Sequence, residues 1–340
     1  MSVPRVGIVG LGYWGPNLLR NFRSIEACRV TAIADAEPAR LAEPARMYPD
    51  VRTHHSAEAL IADPEVDAVV LALRAALLPD LALAALALGK HVMVEKPMAD
   101  SLEAGRRMAD AAERTDLVRM VDFTFVYSPP VRYLRSLVEE GRLGEPHYYQ
   151  STRINLGRFQ PDVDVVWDLV VHDVAILAHV LGRDPVTVAA TGRGRDGGTV
   201  DTAHVTLKYA DGFQAFIQAS WLAPIKVRTA LLAGREGMAL YNDVDPDEKI
   251  RVYPLEQQFD PDREDPIVPT FRLGDVAVPR LPAEEPLRGV ASAFIDAVTG
   301  GRPPDTDWRF GLRVLAVLDA ARRSLATGEV ARVADAVGAR

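Results

Sequence analysis

A single cysteine, Cys28, stands among the 340 residues. It rules out an internal disulfide framework and any cysteine-based metal site, and no metal is expected. Basic residues are in deficit: 39 Lys and Arg against 47 Asp and Glu leave a net charge of −8, with no basic run. Such a chain carries no electrostatic footprint for nucleic acid or for an anionic membrane. Long apolar runs are missing too. The most apolar stretch, Ala68 to Leu88, is broken by Arg74, Pro79 and Asp80. It falls short of the roughly 20 apolar residues of a membrane span and reads as a buried strand followed by a soluble helix. The opening Met1-Ser2-Val3-Pro4-Arg5 has no apolar signal region, so a reducing, cytoplasmic setting is expected. Lysine is scarce as well: Lys90, Lys96, Lys208, Lys226 and Lys249 are the only five.

What remains is ordinary globular material, 48% hydrophobic and 25% charged. At roughly 150 residues per domain the length suggests two domains. Short apolar runs at Arg5–Val9, Val30–Ala34, Asp67–Leu73, His91–Glu95 and Leu117–Asp122 alternate with helical segments. That alternation predicts a doubly wound parallel α/β sheet. From about His147 the texture changes. Strands are expected at His147–Ile154, Asp201–Tyr209, Phe213–Trp221, Val227–Ala233 and Met238–Tyr241, in a mainly antiparallel sheet. One helix, Trp167–Leu181, is expected to stop at Gly182. Pro254–Pro286 reads as a long surface excursion, and Pro286–Thr327 returns to helix. The seam falls near Phe125–Pro130, giving domains 1–125 and 126–340.

Gly10-Leu11-Gly12-Tyr13-Trp14-Gly15 fits G-x-G-x-x-G between a predicted strand and a predicted helix. Gly10 permits the turn, Gly12 admits a pyrophosphate close to the backbone, and Gly15 lets helix and strand pack. Asp35 ends the next strand, 20 residues after Gly15. A carboxylate there accepts hydrogen bonds from the ribose 2′-hydroxyl of NAD and repels the 2′-phosphate of NADP, so NAD is the expected cofactor. Tyr13 and Trp14 are bulky for such a loop. They either pad an interface or flank the nicotinamide half of the pocket.

Glu95-Lys96-Pro97 lies just past the apolar strand His91–Glu95. Ligands of open parallel sheets sit beyond the carboxyl ends of the strands, which aims Lys96 at the cofactor crevice. Asp168 and His172 are spaced i, i+4 and share a helix face. A histidine among Val170, Val171, Val174 and Ile176 is either a satisfied core residue or, with Lys96, part of a site.

The order of these motifs closely resembles the Gfo/Idh/MocA oxidoreductases over nearly the whole chain, including Glu285-Pro286-Leu287 and Thr306-Asp307. Gly12-Tyr13-Trp14-Gly15-Pro16-Asn17, Arg153-Ile154-Asn155-Leu156-Gly157, Trp167-Asp168-Leu169-x-x-His172-Asp173 and Ser220-Trp221-Leu222-x-Pro224-x-Lys226 resemble one branch. That branch is similar to UDP-N-acetylglucosamine(-uronate) 3-dehydrogenases and antibiotic amino-sugar dehydrogenases. The resemblance implies a Rossmann domain followed by an α/β domain with an open sheet that often mediates a homo-oligomer, dimer or tetramer. It implies Lys96, Asp168 and His172 as catalytic residues. Cofactor contacts would come from Gly10, Gly12, Tyr13, Trp14, Gly15, Asp35, Leu73, Glu95, Lys96 and Trp167. Substrate contacts would come from Lys96, Tyr127, Arg153, Asn155, Arg158, Asp168 and His172. Trp167 is otherwise a core residue.

Three departures from the family suggest an altered pocket. The loop Leu73-Arg74-Ala75-Ala76-Leu77-Leu78-Pro79 lacks the usual Thr-Pro and histidine, Phe123 replaces a frequent histidine, and Gly289 replaces a frequent acid. Arg74 either binds an anion or caps the strand at the surface. Arg153, Arg158, Lys226 and Arg228 would suit the pyrophosphate of a nucleotide sugar, whereas Asp122, Asp162 and Asp164 would suit an aminoglycoside. The expected activity is NAD-dependent oxidation of a secondary hydroxyl, at C-3 of an amino-sugar pyranose, to a ketone ahead of transamination. A ketoreductase running the other way and a non-catalytic dinucleotide sensor are the alternatives.

Overall fold

The computed structural model describes residues 3–157, 163–258 and 270–334. They form two compact units. The first comprises the chain up to Ser128 together with Glu284–Ala316; the second comprises Pro129–Ala283 and Val317–Ala334.

In the first unit, strands β1 (Arg5–Val9), β2 (Arg29–Ala34), β3 (Arg52–His54), β4 (Ala68–Leu71), β5 (His91–Glu95) and β6 (Arg119–Asp122) alternate with helices α1 (Gly15–Arg23), α2 (Pro38–Met47), α3 (Ala57–Ile61), α4 (Leu78–Ala87) and α5 (Leu102–Ala112). The sheet order is β3-β2-β1-β4-β5-β6, with every pairing parallel. Val6, Ile8 and Val9 of β1 and all of β4 are buried, as strands covered on both faces must be. Chain order reverses between β1 and β4, which places the ligand crevice at their carboxyl ends. Arg-Thr-His of β3 has no apolar residue, so this edge strand leaves no hydrophobic trace in the sequence.

The second unit opens with α6 (Pro129–Glu139) and β7 (Pro146–Leu156). A π-helical turn, Val166–Val170, leads into α7 (Val171–Leu181). Gly182 closes the helix in the left-handed region, φ 66°, as expected. Strands β8 (Thr187–Arg193), β9 (Thr202–Lys208), β10 (Gln214–Ser220), β11 (Leu222–Gly234), β12 (Gly237–Asn242), β13 (Ile250–Gln258) and β14 (Thr270–Leu273) follow. Their sheet runs β14-β13-β12-β11-β7-β10-β9-β8-β15, where β15 is Ala331–Arg332. It is antiparallel except for the β7–β10 pair. Burial alternates along β9 and β10: Ala215, Ile217 and Ala219 face the core while Phe216 faces outward. Strands β13 and β14 fall within or beside the segment 254–286 expected as a surface excursion. Pro254 and the polar residues around it hide the pairing, yet Pro254 stands opposite Gly237 and Leu255 opposite Leu273.

Two helices fill the expected helical tail, α8 (Pro286–Val298) and α9 (Trp308–Thr327). The boundary at 126–340 needs correction, because Glu284–Ala316 rejoins the first unit. Backbone and hydroxyl groups fix it there. Val121 N–H donates to Thr306 O at 2.8 Å, and Thr306 Oγ1 donates to Val121 O at 2.7 Å. Phe294 of α8 meets Phe22 of α1 edge-on at 6.2 Å, and Glu285 accepts both Arg20 nitrogens at 2.9 and 2.6 Å. Among the described residues no helix is long and apolar enough to cross a membrane.

Candidate active site

At the carboxyl end of β1 each glycine of the turn has its own geometric reason. Gly10 has φ 89°, and a Cβ on it would lie 2.4 Å from the Ala72 carbonyl and 2.8 Å from Leu73 Cδ2. A Cβ on Gly15 would lie 2.0 Å from Gly10 O, so α1 can approach the turn only with glycine there. In front of Gly12 a Cβ would meet only Arg40 Nη1, at 3.9 Å; this is the open face of the cradle. Asp35, buried at the end of β2, accepts Leu11 N–H on Oδ2 at 2.7 Å and Glu37 N–H on Oδ1 at 2.9 Å. Arg40 Nη1 stands 3.7 Å from Asp35 Oδ2. A cradle open at Gly12 with a fixed carboxylate beside it fits the pyrophosphate and ribose of NAD. Tyr13 and Trp14 pack edge-on at 5.2 Å but are 65% and 44% exposed, so neither is core filling.

Beyond β4, Arg74 is exposed and precedes a 3-10 turn, Ala75–Leu77, that runs into α4. At the ends of β5 and β6, Glu95 and Asp122 are register neighbours and are 8% and 1% exposed. Lys96 N–H donates to Glu95 Oε2 at 3.1 Å, and Thr124 Oγ1 donates to Asp122 Oδ1 at 2.7 Å. Burial, and then the charge of Asp122, holds the Glu95 carboxyl well above the usual carboxylate range. Burial pushes Asp122 up to about 6, against the Thr124 hydrogen bond and the Lys96 charge. Lys96 is half-buried, and the Lys96–Pro97 peptide is cis. Asp122, weighed from the sequence as a surface carboxylate for a cationic substrate, is an interior residue.

In the second unit Asp168 lies in the π turn and His172 in the first turn of α7, both half-buried among buried Leu169, Val170, Val171 and Val174. Such wide turns in helices recur at functional sites. Trp221 Nε1–H donates to Asp168 Oδ2 at 3.0 Å. The Trp221 indole is fully buried, and Gly157 makes room for it: a Cβ there would lie 2.4 Å from Trp221 Cδ1. Gly157 N–H also donates to Trp221 O at 2.8 Å. Trp221 is not foreseeable as a partner of Asp168 from the sequence, although Ser220-Trp221-Leu222 is among the motifs that carry the resemblance. No spacing rule announces an indole donor from a distant strand.

Several expected site residues are enclosed. Trp167 is 0% exposed with the Arg322 guanidinium 3.9 Å from its ring, and the Tyr127 hydroxyl is hydrogen-bonded to Thr306 Oγ1 at 3.0 Å. Arg153, 4% exposed, donates from Nε to Asp173 Oδ2 at 2.8 Å, and Tyr149 donates to Asp173 Oδ1 at 2.7 Å. Asn155 is half-buried, and its Oδ1 accepts no hydrogen bond among the described residues. Asp164 accepts Trp167 N–H at 2.9 Å, so it caps the helix start, and Arg228 donates to Asp243 at 3.3 Å. Lys226 is exposed. Arg158 and Asp162 lie outside the described residues. Of the departures read as an altered pocket, two have packing reasons. Phe123 packs edge-on against Phe310 at 5.5 Å, and a Cβ on Gly289 would press on Tyr127 O at 3.2 Å.

Comparison with known proteins agrees with this geometry. Residues 4–123 match the oxidoreductase family with an NAD-binding Rossmann fold, Gfo/Idh/MocA, and residues 131–240 match the C-terminal domain of the same family. The chain is 27% identical to a myo-inositol 2-dehydrogenase of Thermotoga maritima over 228 residues, 64% of this chain and 68% of that one. It is 26% identical to a UDP-N-acetylglucosamine 3-dehydrogenase of Acidithiobacillus ferrooxidans over 325 residues, 92% and 94% of the two chains. A levoglucosan dehydrogenase solved with NADH superposes with a TM-score of 0.83 at 22% identity, over 97% and 99% of the two chains, a likeness of fold. With both segments matched and the glycine cradle and Asp35 in place, the chain belongs to the Gfo/Idh/MocA family of oxidoreductases, and its first unit is an NAD-binding Rossmann domain.

Proposed function

We propose that this protein oxidises a secondary hydroxyl of a sugar or cyclic polyol to a ketone, and, more narrowly, C-3 of an amino-sugar pyranose, nucleotide-linked or in an aminoglycoside, ahead of a transamination. The observation that carries the reading is Lys96, one of five lysines, at the carboxyl end of β5 in the sheet that builds the NAD cradle. NAD, when bound at Gly10–Gly15 and Asp35, supplies the two-electron acceptor. Lys96 donates a hydrogen bond to the hydroxyl oxygen and stabilises its growing negative charge. His172 accepts the hydroxyl proton, since imidazole titrates near neutrality. Asp168, steadied by the Trp221 indole, orients these groups or holds a neighbouring hydroxyl. The match to a UDP-N-acetylglucosamine 3-dehydrogenase over 325 residues supports the amino sugar. The match to a myo-inositol 2-dehydrogenase supports the wider class. A homo-oligomer formed through the outward face that carries Phe216 accompanies this reading, and light scattering checks it.

The test is NADH formation from NAD with UDP-amino sugars, aminoglycosides and inositols. The expected result is turnover of one class by the wild type, with Lys96→Ala and His172→Asn inactive yet still binding NAD. No NADH from any of these classes would reject the reading, and binding of a protein partner unaffected by Lys96→Ala would favour a sensor.

A further inference from the structure

The carboxyl groups of Glu95 and Asp122 do not behave as two independent acids. Glu95 and Asp122 are register neighbours on parallel strands whose backbones run about 4.8 Å apart, and both residues are buried. Their oxygens can be assigned one by one. Glu95 Oε2 takes Lys96 N–H and Asp122 Oδ1 takes the Thr124 hydroxyl. Asp122 Oδ2 is buried, and no N–H or side-chain donor among the described residues reaches it. Glu95, its register neighbour on the adjacent parallel strand, lies on the same face of the sheet and is the buried carboxyl placed beside this oxygen. Two carboxylates cannot hydrogen-bond; a carboxylic acid and a carboxylate can. Among the described residues the charged group that acts most on the pair, besides its own two members, is Lys96, and the Thr124 hydroxyl is a further side-chain partner.

We propose that Glu95 and Asp122 share one proton at neutral pH, Glu95 donating to Asp122 Oδ2, and that this singly charged pair is the positioning unit for Lys96. One negative charge balances one ammonium, whereas two ionised carboxylates side by side would repel each other in a buried site. The backbone N–H of Lys96 anchors the pair to the residue that it serves. The positioning role rests on the catalytic reading of Lys96 given above; the shared proton does not.

The two parts are tested separately on the full chain. Infrared spectra near pH 7 are expected to show a protonated carboxyl stretch that is lost in Glu95→Gln and shifted in Asp122→Asn. Absence of the band, or a band unchanged in both variants, overturns the shared proton. Stability gives a second readout. A buried acid whose folded form holds its proton more tightly contributes stability that is full at acid pH and lost as pH rises through its folded pKa. The Tm of Glu95→Gln relative to the wild type should therefore climb as the pH is raised from acid through neutrality, and a difference independent of pH overturns the pair. For the positioning role, Gln can still donate to Asp122 and Ala cannot. Turnover of Glu95→Ala is expected to fall below that of Glu95→Gln by about tenfold or more, the loss of one charge-assisted hydrogen bond. Equal turnover of the two overturns it. An active Lys96→Ala enzyme that keeps the carboxyl band would reject the catalytic reading while the shared proton stands.

Discussion

Replacing Arg153 by Met tests whether a residue expected at the substrate is instead a strut. The change keeps the aliphatic stem and removes the guanidinium. Asp173, 1% exposed, would then be left with the Tyr149 hydroxyl alone, its 2.8 Å partner gone. Stranding a buried carboxylate costs about 3–5 kcal/mol. For a folding unit of this size that is a fall in Tm of roughly 6–20 °C, at about 2–4 °C per kcal/mol. Restoring neutrality with Arg153→Met and Asp173→Asn together should recover most of the loss, because no charge then remains unpaired. Urea unfolding of the wild type, both single variants and the double variant closes the cycle. A loss below about 1 kcal/mol, or additive single losses, would refute the strut. A substrate KM raised about a hundredfold in folded Arg153→Met, at unchanged Tm, would instead place the guanidinium on the substrate.

Asp35→Ser should weaken NAD by about tenfold or more through loss of a charged acceptor, and should raise the NADP to NAD preference because Arg40 already stands beside the site; steady-state kinetics with both cofactors check this. Gly15→Ala puts a Cβ 2.0 Å from Gly10 O, so calorimetric titration should find NAD binding reduced below detection while Glu37→Ala, at an exposed site, binds normally. Trp221→Phe keeps most of the buried ring but removes the hydrogen bond to Asp168. The expected drop in kcat is about tenfold to a hundredfold, from a charge-assisted bond worth about 1.5–3 kcal/mol, with NAD affinity unchanged in fluorescence titration.

The parallel sheet was legible because β1, β2, β4 and β5 are continuous apolar runs, the mark of strands buried on both faces. Where that mark fails, so does the reading: β3 is Arg-Thr-His, and β13 carries Pro254 inside a strand. The glycine turn and Asp35 could be read because their roles are local, fixed by backbone geometry within one βαβ unit. Trp221 with Asp168, Glu95 with Asp122, and Arg153 with Asp173 depend on which strands and helices become neighbours. Strand order and burial decide that, and neither shows in residue spacing. Burial also makes Asp122 and Phe123 interior residues, and for Trp167 it favours the core alternative that the sequence left open.

The return of Glu284–Ala316 to the first unit has a bearing on how the chain is made. Tyr127 and Thr306, joined through their hydroxyls, are 179 residues apart. At about 5–20 residues per second, the ribosome delivers Thr306 roughly 10–40 s after Tyr127. Through that interval the emerging Rossmann strands wait with the flank of α1 around Phe22 bare, and with β6 lacking the backbone partner that Thr306 brings. The loop to be closed contains eight of the nine strands of the second sheet, β7 to β14, so its closure is faster once those strands have paired and shortened the span. The order of synthesis therefore favours pairing the strands of Pro129–Ala283 first, adding Glu284–Ala316 to the cofactor unit next, and completing the inserted unit with Val317–Ala334 last. A chain cut before α8 would be released as a sheet without its clasp, not as a free-standing nucleotide-binding module.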